Sequence, residues 1–297
     1  MNATRDTIVV GVDGSTHALA AVDWAAERAH RLGRALELVH GYTVQFPDGI
    51  MDPAMTGPPA PDWIPPFLTD ACDRVRVTWP DVDVTAVAIP DGGSSSLVSL
   101  SRHASLVVVG AHGRSFVSRL LLGSVSRHVT AHAHCPAVVV RGVPKPGSWP
   151  VAVGIDDSPT AQSALAWAFA EAASRDVGLT VFHAWQEVPV TGYGLWATPP
   201  GLEDAIEADA EKLLTTSLAP WRDQYPQVEV RERIVRAPPA TAVVDQSHHA
   251  QLVVLGAHGR GAFRGMTLGS VPASAVHQTD CPVVVVPPVD RMHIVTE

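Results

Sequence analysis

Two glycine-rich segments of equal length and spacing hold the residues best suited to bind an anion. The first, Gly110–Ser124, reads GAHGRSFVSRLLLGS, and the second, Gly256–Ser270, reads GAHGRGAFRGMTLGS. Each follows a short apolar run that predicts a buried strand, and each precedes a segment with a helical pattern. Glycine lets the backbone turn tightly and approach a ligand, and a helix start presents unpaired N–H groups. The pattern therefore predicts an anion where strand, loop and helix meet.

Polar side chains in both segments extend this prediction. Ser124 and Ser270 are predicted to be N-caps that can also donate a hydroxyl to a phosphate oxygen. Arg114 and Arg260 follow the second glycine and can add charge-assisted hydrogen bonds. The alternative is a strand-to-helix loop with turn glycines and no ligand, but the matching serine and arginine in both copies favour a ligand.

Other side chains suggest chemistry less strongly. Asp13 follows the first predicted strand and suits a helix cap or a ribose contact better than a catalytic carboxylate. His112 and His258 lie inside the glycine loops, where a ligand-lining or solvent-facing role is favoured over acid–base chemistry. His128 and His132 have the spacing of a helical metal pair, but no glutamate follows the first histidine as in a zinc protease helix. We therefore predict no catalytic residue and no metal ligand.

Alternating strands and helices must position these residues. In the first half, apolar runs predict strands at 7–12, 35–40, 82–89, 106–109 and 137–141. Helical periodicity and caps predict helices at 16–32, 67–79, 94–103 and from 124 onward. Between them, Tyr42–Pro66 is so rich in proline that it cannot form a regular element, and a loop of this length suggests a functional or disordered segment.

The second half of the chain repeats the first. VAVGIDDS at 151–158 matches IVVGVDGS at 8–15, and Gly142–Pro150 reads as a linker. We therefore predict two domains, residues 1–143 and 149–290, of the α/β class. Each is expected to be a Rossmann-like, five-stranded parallel sheet with helices on both faces. A ligand would then lie beyond the ends of the first and fourth strands, where the strand order reverses.

Composition limits the partners. The 297 residues carry a net charge of −9 without a basic tract, which argues against nucleic acid. No run of about 18 apolar residues is present, so no membrane span is expected. The N-terminus lacks a signal-peptide pattern, and the three cysteines, Cys72, Cys135 and Cys281, form no disulfide framework. We therefore expect a cytoplasmic protein.

Nearly the whole chain resembles the universal stress protein family, in its tandem, ATP-binding, mycobacterial-like form. The resemblance rests on the motif G-x2-G-x9-G-[ST], present in both halves, and on Asp13 and Asp156 after the first strand of each half. It implies an adenine nucleotide alpha hydrolase-like fold with one ATP, with or without Mg²⁺, in each domain. One departure is Pro272, which follows Gly-Ser-Val in the second half and removes one N–H, so weaker phosphate binding is expected there.

The resemblance also implies which residues contact the nucleotide. The glycine loops would surround ribose and phosphates, Gly-Ser-Val would hold phosphates at the helix start, and the first and second strand ends would line the adenosine. In the first half these residues are Gly11, Asp13, Gly41, Gly110, Ala111, His112, Gly113, Arg114, Gly123, Ser124 and Val125. In the second half they are Gly154, Asp156, Ala184, Gly256, Ala257, His258, Gly259, Arg260, Gly261, Gly269, Ser270 and Val271.

The function implied is a nucleotide-dependent regulator or sensor in the stress response, controlling growth or dormancy. We expect binding rather than catalysis, because no Walker-type loop and no paired carboxylates occur at the phosphate loop, although slow hydrolysis stays open. The alternatives are a slow ATPase or nucleotidyl transferase, and a partner-binding module that uses the loops Val44–Pro66 and Val188–Gly201. The resemblance further implies edge pairing of Ala137–Val140 and Val283–Val286, and a homodimer.

Overall fold

The chain divides into two compact units of nearly equal size. A computed structural model describes residues 6–42, 63–113, 122–142, 145–186, 201–261 and 267–292 of the 297. Unit 1 comprises Met1–Arg141 with Arg291–Glu297, and unit 2 comprises Gly142–Asp290. Most of the proline-rich segments predicted as loops, 43–62 and 187–200, lie outside the described residues.

Unit 1 is a parallel sheet whose strands alternate with helices. Its sheet order is β3-β2-β1-β4-β5, and every neighbouring pair runs parallel. The elements are β1 (Thr7–Gly11), α1 (Thr16–Leu32), β2 (Ala35–Gly41), α2 (Pro66–Thr78), β3 (Val84–Ile89), α3 (Gly93–Leu100), β4 (Leu106–Gly110), α4 (Ser124–His132) and β5 (Ala137–Val140).

Unit 2 repeats this architecture with the sheet order β8-β7-β6-β9-β10, again parallel throughout. The elements are β6 (Val151–Gly154), α5 (Pro159–Arg175), β7 (Leu179–Trp185), α6 (Leu202–Gln224), β8 (Val230–Arg236), α7 (Pro239–Ser247), β9 (Leu252–Gly256), α8 (Ser270–Gln278) and β10 (Val283–Val286), followed by the short α9 (Val289–Met292). The predicted α/β class with two parallel, Rossmann-like sheets is confirmed.

The central strands are buried on both faces, as the sequence predicts for a sheet covered by helices. Ile8, Val9 and Val10 of β1 are consecutive in the chain and are all buried, although their side chains alternate between the two faces. Helices α1 and α2 pack on one another, and so do α3 and α4. Two helical layers therefore enclose the sheet.

The helix that follows the first strand begins and ends with local signals. Ser15 is the N-cap of α1, where its hydroxyl oxygen accepts a hydrogen bond from Ala18 N at 3.1 Å. Gly33 ends α1 in the left-handed region, with φ at 61°. Ser158 caps α5 in the same way, whereas Asp176 takes the left-handed position with φ at 54°. Ser15 and Ser158 therefore fix the residues at which α1 and α5 begin after strands β1 and β6. These helix starts lie beside the predicted site.

Two expectations from composition can be compared with the described residues. The three cysteines are buried free thiols, as predicted, and burial raises the pKa of Cys135 to about 12. Its thiol is therefore protonated at neutral pH and unreactive. Within the described ranges, no helix is both long enough and apolar enough to cross a bilayer.

Candidate functional site

Unit 1 contains a cavity at the carboxyl ends of β1 and β4, the two strands between which the sheet order reverses. Its volume is about 340 Å³. This is the position at which doubly wound parallel sheets hold their ligands. Of the residues predicted for the first half, those that line it are Gly11, Asp13, Gly41, Gly110, His112, Gly113, Gly123, Ser124 and Val125.

Unit 2 contains the matching cavity at the ends of β6 and β9, with a volume of about 320 Å³. Of the residues predicted for the second half, those that line it are Gly154, Asp156, Ala184, Gly256, His258, Gly259, Arg260, Gly261, Gly269, Ser270 and Val271. Residues far apart in the chain therefore meet at one cavity in each unit.

The loop glycines of unit 1 lie so close to other atoms that a side chain would not fit. A Cβ added to Gly110 would lie 2.6 Å from the carbonyl carbon of His17, in the first turn of α1. A Cβ added to Gly113 would lie 2.6 Å from Asp13 Oδ2. Neither glycine has a positive φ, so a left-handed backbone is not what requires glycine at these positions. Close approach of the loop to α1 and to Asp13 is the reason for glycine.

The same close approach occurs in unit 2. A Cβ on Gly256 would lie 2.6 Å from Thr160 Oγ1, and a Cβ on Gly259 would lie 2.7 Å from Asp156 Oδ2. The loop is held there by hydrogen bonds, since the backbone N–H of Arg260 donates to Asp156 Oδ2 at 3.0 Å. The hydroxyl groups of Ser158 and Thr160 both donate to the carbonyl oxygen of His258.

The two aspartates organise the turn between the first strand and its helix. Ser15 N donates to Asp13 Oδ1 at 3.0 Å, and Ser158 N donates to Asp156 Oδ1 at 3.1 Å. This is the bonding of an Asx turn, in which a carboxylate accepts from the backbone two residues on. Each aspartate therefore contacts both the helix turn and the glycine loop.

The helix starts differ from the prediction. Gly123 and Gly269, and not Ser124 and Ser270, are the N-caps of α4 and α8, and neither helix has a side-chain cap. Gly123 N donates to Ala111 O at 2.8 Å, which fixes the glycine in the extended cap position and leaves Ser124 as the first helical residue. The first-turn N–H groups of both helices consequently have no side-chain acceptor and lie beside the cavity.

One residue in this first turn differs between the units. In unit 1 the hydroxyl of Ser126 donates to Gly110 O at 2.6 Å and so ties α4 to the start of the glycine loop. Unit 2 has Pro272 at the corresponding position, which has neither a hydroxyl nor an N–H. Both residues line their cavities.

The wall formed by the second strand includes residues that the sequence did not reveal. Gly41 lies against Gly93, because a Cβ on Gly41 would be 2.6 Å from Gly93 N. Gly93 lines the cavity together with Leu97, and their counterparts in unit 2 are Pro239 and Val243. In the sequence, these lining positions are marked by nothing more than a pair of glycines or prolines at the start of the third helix of each unit.

A histidine at the end of the second strand supports each cavity. His40 and Val12 O are joined through His40 Nδ1 at 2.8 Å, and His183 and Ile155 O are joined in the same way at 2.8 Å. Since a carbonyl oxygen only accepts, Nδ1 must be the protonated nitrogen of each ring. These histidines line the cavities and were not predicted as site residues, although they match between the halves.

Some predicted site residues lie elsewhere. Ala111 and Ala257 are buried behind the cavities, where their N–H groups donate to the strands β5 and β10 and their carbonyls accept from the cap glycines. The guanidinium of Arg260 lies in an exposed ion pair with Asp157, with 3.2 Å between Nε and Oδ1. Arg114 is outside the described residues.

The histidine cluster near the end of α4 does not assemble into a site. The rings of His128 and His132 are adjacent, with centroids 4.4 Å apart. The pKa of His132 is lowered by burial and by the charges of His128 and Arg291. Across the parts of the chain that the structure describes, no three His, Cys, Asp or Glu side chains come together as metal ligands.

Comparisons with known proteins agree with this architecture. Residues 4–141 and 150–287 each match the model of the universal stress protein family. Two universal stress proteins of Mycobacterium tuberculosis H37Rv are similar to the chain. One is 35% identical over 288 residues, covering 94% of this chain and 95% of that protein. The other is 36% identical over 294 residues, covering 94% and 96%.

Solved structures share the fold at lower identity. A functionally unknown protein of Pseudomonas aeruginosa PAO1 has a TM-score of 0.66 at 15% identity, covering 98% of this chain and 95% of that one. A universal stress protein of Archaeoglobus fulgidus has a TM-score of 0.62 at 16% identity, covering 96% and 99%. With two family domains in tandem and relatives similar along nearly its whole length, the chain belongs to the universal stress protein family.

Proposed function

We propose that each unit binds one ATP molecule and that the protein is a nucleotide-dependent regulator of the stress response. The observation that carries the proposal is the cradle of main-chain groups in each cavity. Gly110 and Gly113 in unit 1, and Gly256 and Gly259 in unit 2, leave no room for a Cβ where the loop passes α1 or α5 and the aspartate. Both cavities fall in the size range of small-molecule sites, about 300–1,000 Å³.

The chemistry of the cradle suits a nucleoside polyphosphate. The uncapped first turns of α4 and α8 would hold phosphates, since free N–H groups and the positive helix end favour anions. Leu97 and Val109 in unit 1, and Val243 and Leu255 in unit 2, give an apolar wall suited to a base. With a net charge of −9, the protein has to bind an anion through such local groups.

Binding without rapid turnover is the second part of the proposal. Asp13 and Asp156 are the carboxylates nearest the glycine loops among the cavity-lining residues, and each accepts hydrogen bonds from the turn of its own helix. Such a fixed carboxylate acts as a structural acceptor and is poorly placed to take a proton from water. Release of labelled phosphate from ATP at a rate above that of buffer alone would instead indicate a slow ATPase.

Calorimetric titration with ATP is the test of binding. One ATP per unit is expected, and by linkage ATP at about 100 times its dissociation constant should stabilise the folded protein by about 2.7 kcal/mol. A melting scan with and without ATP measures this stabilisation. Absence of heat and of any melting shift at millimolar ATP would remove the proposal.

The homodimer implied by the family resemblance stays part of the proposal. The resemblance assigns edge pairing to a four-residue apolar strand in each unit, β5 or β10. Light scattering should give the mass of two chains, and a mass of one chain at all concentrations would contradict it. A stress role would be supported if deleting the gene altered survival in stressed cells and the wild-type chain restored it.

A further inference from the structure

Unit 2 contains a second cavity at the amino-terminal end of its sheet, away from the glycine loop. We call it the amino-end cavity. Its volume is about 480 Å³. Thr180 and Arg231, the second residues of β7 and β8, line it, together with Trp149 before β6 and Gln246 at the end of α7. None of these residues lines the cavity at the carboxyl ends of the strands.

Two polar side chains in this cavity have no hydrogen-bond partner among the described residues. Thr180 is 7% exposed and Gln246 is 8% exposed, and both line the cavity. Neither side chain forms a hydrogen bond with any residue within the described ranges. Their polar atoms are not among the enclosed ones that lack a partner, so the hydroxyl and the amide face the open cavity. Both groups are therefore available to hydrogen-bond a molecule bound there.

Two arginines give the amino-end cavity a positive charge. Arg231 and Arg233 alternate along β8, so their side chains lie on the same face of the sheet, and Arg231 is in register with Thr180. Arg231 is in an exposed ion pair with Glu229 at 3.0 Å. Arg233 forms no ion pair or hydrogen bond with a residue that the structure describes. At least one guanidinium is therefore available to an anion.

Neither Glu232 nor the end of α7 offsets this positive charge. Glu232 also lines the cavity, but its carboxylate is already in an ion pair with Arg222. The end of α7 would present carbonyl oxygens, but two of them already accept hydrogen bonds. His248 N donates to Asp245 O at 3.3 Å, and His249 N donates to Gln246 O at 3.1 Å. The charges that line the amino-end cavity therefore favour an anion over a cation.

The segment before β6 is held firmly enough to form a wall. Gln251 Nε2 donates to Gly147 O at 2.9 Å and also to Trp149 O. Lys145 Nζ lies 5.5 Å from the centroid of the Trp149 ring and forms an ion pair with Asp280 at 2.9 Å. From residue 145 onward, the segment predicted as a linker is therefore bonded to unit 2.

Unit 1 has different residues at the matching positions. Glu37 of β2 is in register with Thr85 of β3, as Thr180 is with Arg231, so Glu37 and Thr85 replace them. Val87 stands where Arg233 does. Burial raises the pKa of the Glu37 carboxyl. Unit 1 therefore has an acid and no arginine here, and the positive cavity belongs to unit 2.

We propose that the amino-end cavity binds a small molecule bearing a carboxylate or phosphate group. Arg233 would contact the charge, and Thr180 and Gln246 would supply hydrogen bonds. Guanidinium groups pair well with both kinds of anion, because their N–H groups match two oxygens at once. The site is independent of nucleotide binding at the glycine loops.

The test is calorimetric titration of the full-length chain with inorganic phosphate and, separately, with malonate. Each titration is repeated on the double variant Gly113→Ala, Gly259→Ala, so that phosphate binding at the glycine loops can be told apart from binding in the amino-end cavity. One saturable site per chain is expected, and Arg233→Ala and Thr180→Val should each weaken it at least about fivefold. Thr180→Ser keeps the hydroxyl and should retain binding. Arg102→Ala removes an exposed arginine of unit 1 and should change nothing.

The outcomes separate the two ligand classes. Binding of phosphate alone or of malonate alone supports the site and identifies the group it takes. No saturable binding of either anion would overturn the proposal, and so would equal affinity in the wild type, Arg233→Ala and Thr180→Val. Because Arg233 is exposed on an edge strand, its variant is expected to fold, and circular dichroism checks this.

Discussion

Asp156 joins the two loops of the unit 2 site, because its Oδ2 accepts a hydrogen bond from the backbone N–H of Arg260 at 3.0 Å. Its other oxygen accepts from Ser158 N at 3.1 Å, in the turn that begins α5. The loop that follows β9 thus runs directly over this carboxylate, with Gly259 at the point of closest approach. We therefore expect Asp156 to influence nucleotide binding by fixing the position of the backbone cradle.

Gly259→Ala should weaken ATP binding in unit 2 by about tenfold or more, since the cradle must move to admit a methyl group. The new Cβ would lie 2.7 Å from Asp156 Oδ2. Calorimetry should show one of two sites weakened, and Gly113→Ala should do the same in unit 1, where the distance to Asp13 Oδ2 is 2.6 Å.

The control for this prediction is Gly147→Ala, which lies outside both glycine-loop cavities. Among the described residues, no atom beyond its chain neighbours lies within 4 Å of a Cβ at Gly147. Wild-type affinity is expected for this variant. If Gly259→Ala and Gly147→Ala bound ATP equally well, the close approach to Asp156 would have no role in binding.

Gly110→Ala should destabilise unit 1 by about 1–3 kcal/mol, the usual cost of overpacking a filled site. Its Cβ would lie 2.6 Å from the carbonyl carbon of His17 and 3.0 Å from Ala18 N, and backbone cannot rotate away as a side chain can. Urea unfolding measures the loss. Gly147→Ala is the control, because its Cβ would lie within 4 Å of no atom in the part of the chain that the structure describes, apart from its chain neighbours. Equal midpoints for both variants would contradict the packing argument.

The sequence indicates which glycines belong to the loops but not which atoms of the protein they approach. Two copies of one spacing mark the glycines, whereas the neighbours that exclude a Cβ come from α1 and from the turn after β1, far away in the chain. His17 and Asp13 contact the loop only after the parallel sheet has formed. A pattern in one segment cannot show which distant element packs against it.

The helix caps give a second comparison between pattern and structure. Both Ser15 and Ser124 follow a glycine and precede a helix, so the sequence predicts both as N-caps. In the structure Ser15 is a cap, but Gly123 takes that position in α4 because its N–H bonds to Ala111 O. A long-range hydrogen bond therefore decides the register of the second helix.

These caps predict opposite effects for two serine substitutions. Ser15→Ala removes the acceptor of Ala18 N and should cost about 1 kcal/mol of stability. Ser124→Ala removes no cap, so stability should change by less than about 0.5 kcal/mol while ATP affinity falls through loss of the hydroxyl. Chemical denaturation and calorimetry on both variants test this. A large stability loss for Ser124→Ala would show that its hydroxyl caps α4 after all.

The sequence also left parts of the cavity unpredicted, at the end of the second strand and at the start of the third helix. His40 fixes Val12 O, and Gly93 packs on Gly41, but neither shows a chemical pattern in the sequence. A histidine after an apolar strand is compatible with many roles, and a glycine doublet usually marks a turn. Only the sheet order, which places β2 beside β1, brings these residues to the cavity.

Asp280 should make stability depend on pH in the acid range. Burial alone would raise the pKa of its carboxyl, but hydrogen bonds from Lys145 and His248, at 2.9 and 3.0 Å, together with their charges, hold the pKa below its ordinary value. A lowered pKa in the folded state stabilises the fold fully above the unfolded pKa of about 3.9. That contribution is lost as the pH falls through the folded pKa.

Asp280→Asn should therefore be less stable than the wild type near neutral pH, and the difference should shrink as the solution is acidified below about pH 4. Denaturation midpoints of both proteins, measured at a series of pH values, give this difference in stability. Asp223→Asn, which removes an exposed carboxylate of α6, should show no such trend. A gap between Asp280→Asn and the wild type that stays constant with pH would mean that packing, and not charge, holds this residue.

Pro272 should make the two ATP sites unequal. After the cap glycine, α4 offers the N–H groups of Ser124, Val125 and Ser126, whereas α8 offers only those of Ser270 and Val271. A hydrogen bond to a charged group contributes about 1.5–3 kcal/mol, so unit 2 should bind ATP roughly tenfold or more weakly than unit 1.

Pro272→Ser restores the N–H and the hydroxyl that Ser126 supplies in unit 1, and should bring the affinity of the weaker site close to that of the stronger. Two-site calorimetry of the wild type and Pro272→Ser decides it. Identical sites in the wild type would mean that the phosphates of ATP do not use this turn of the helix.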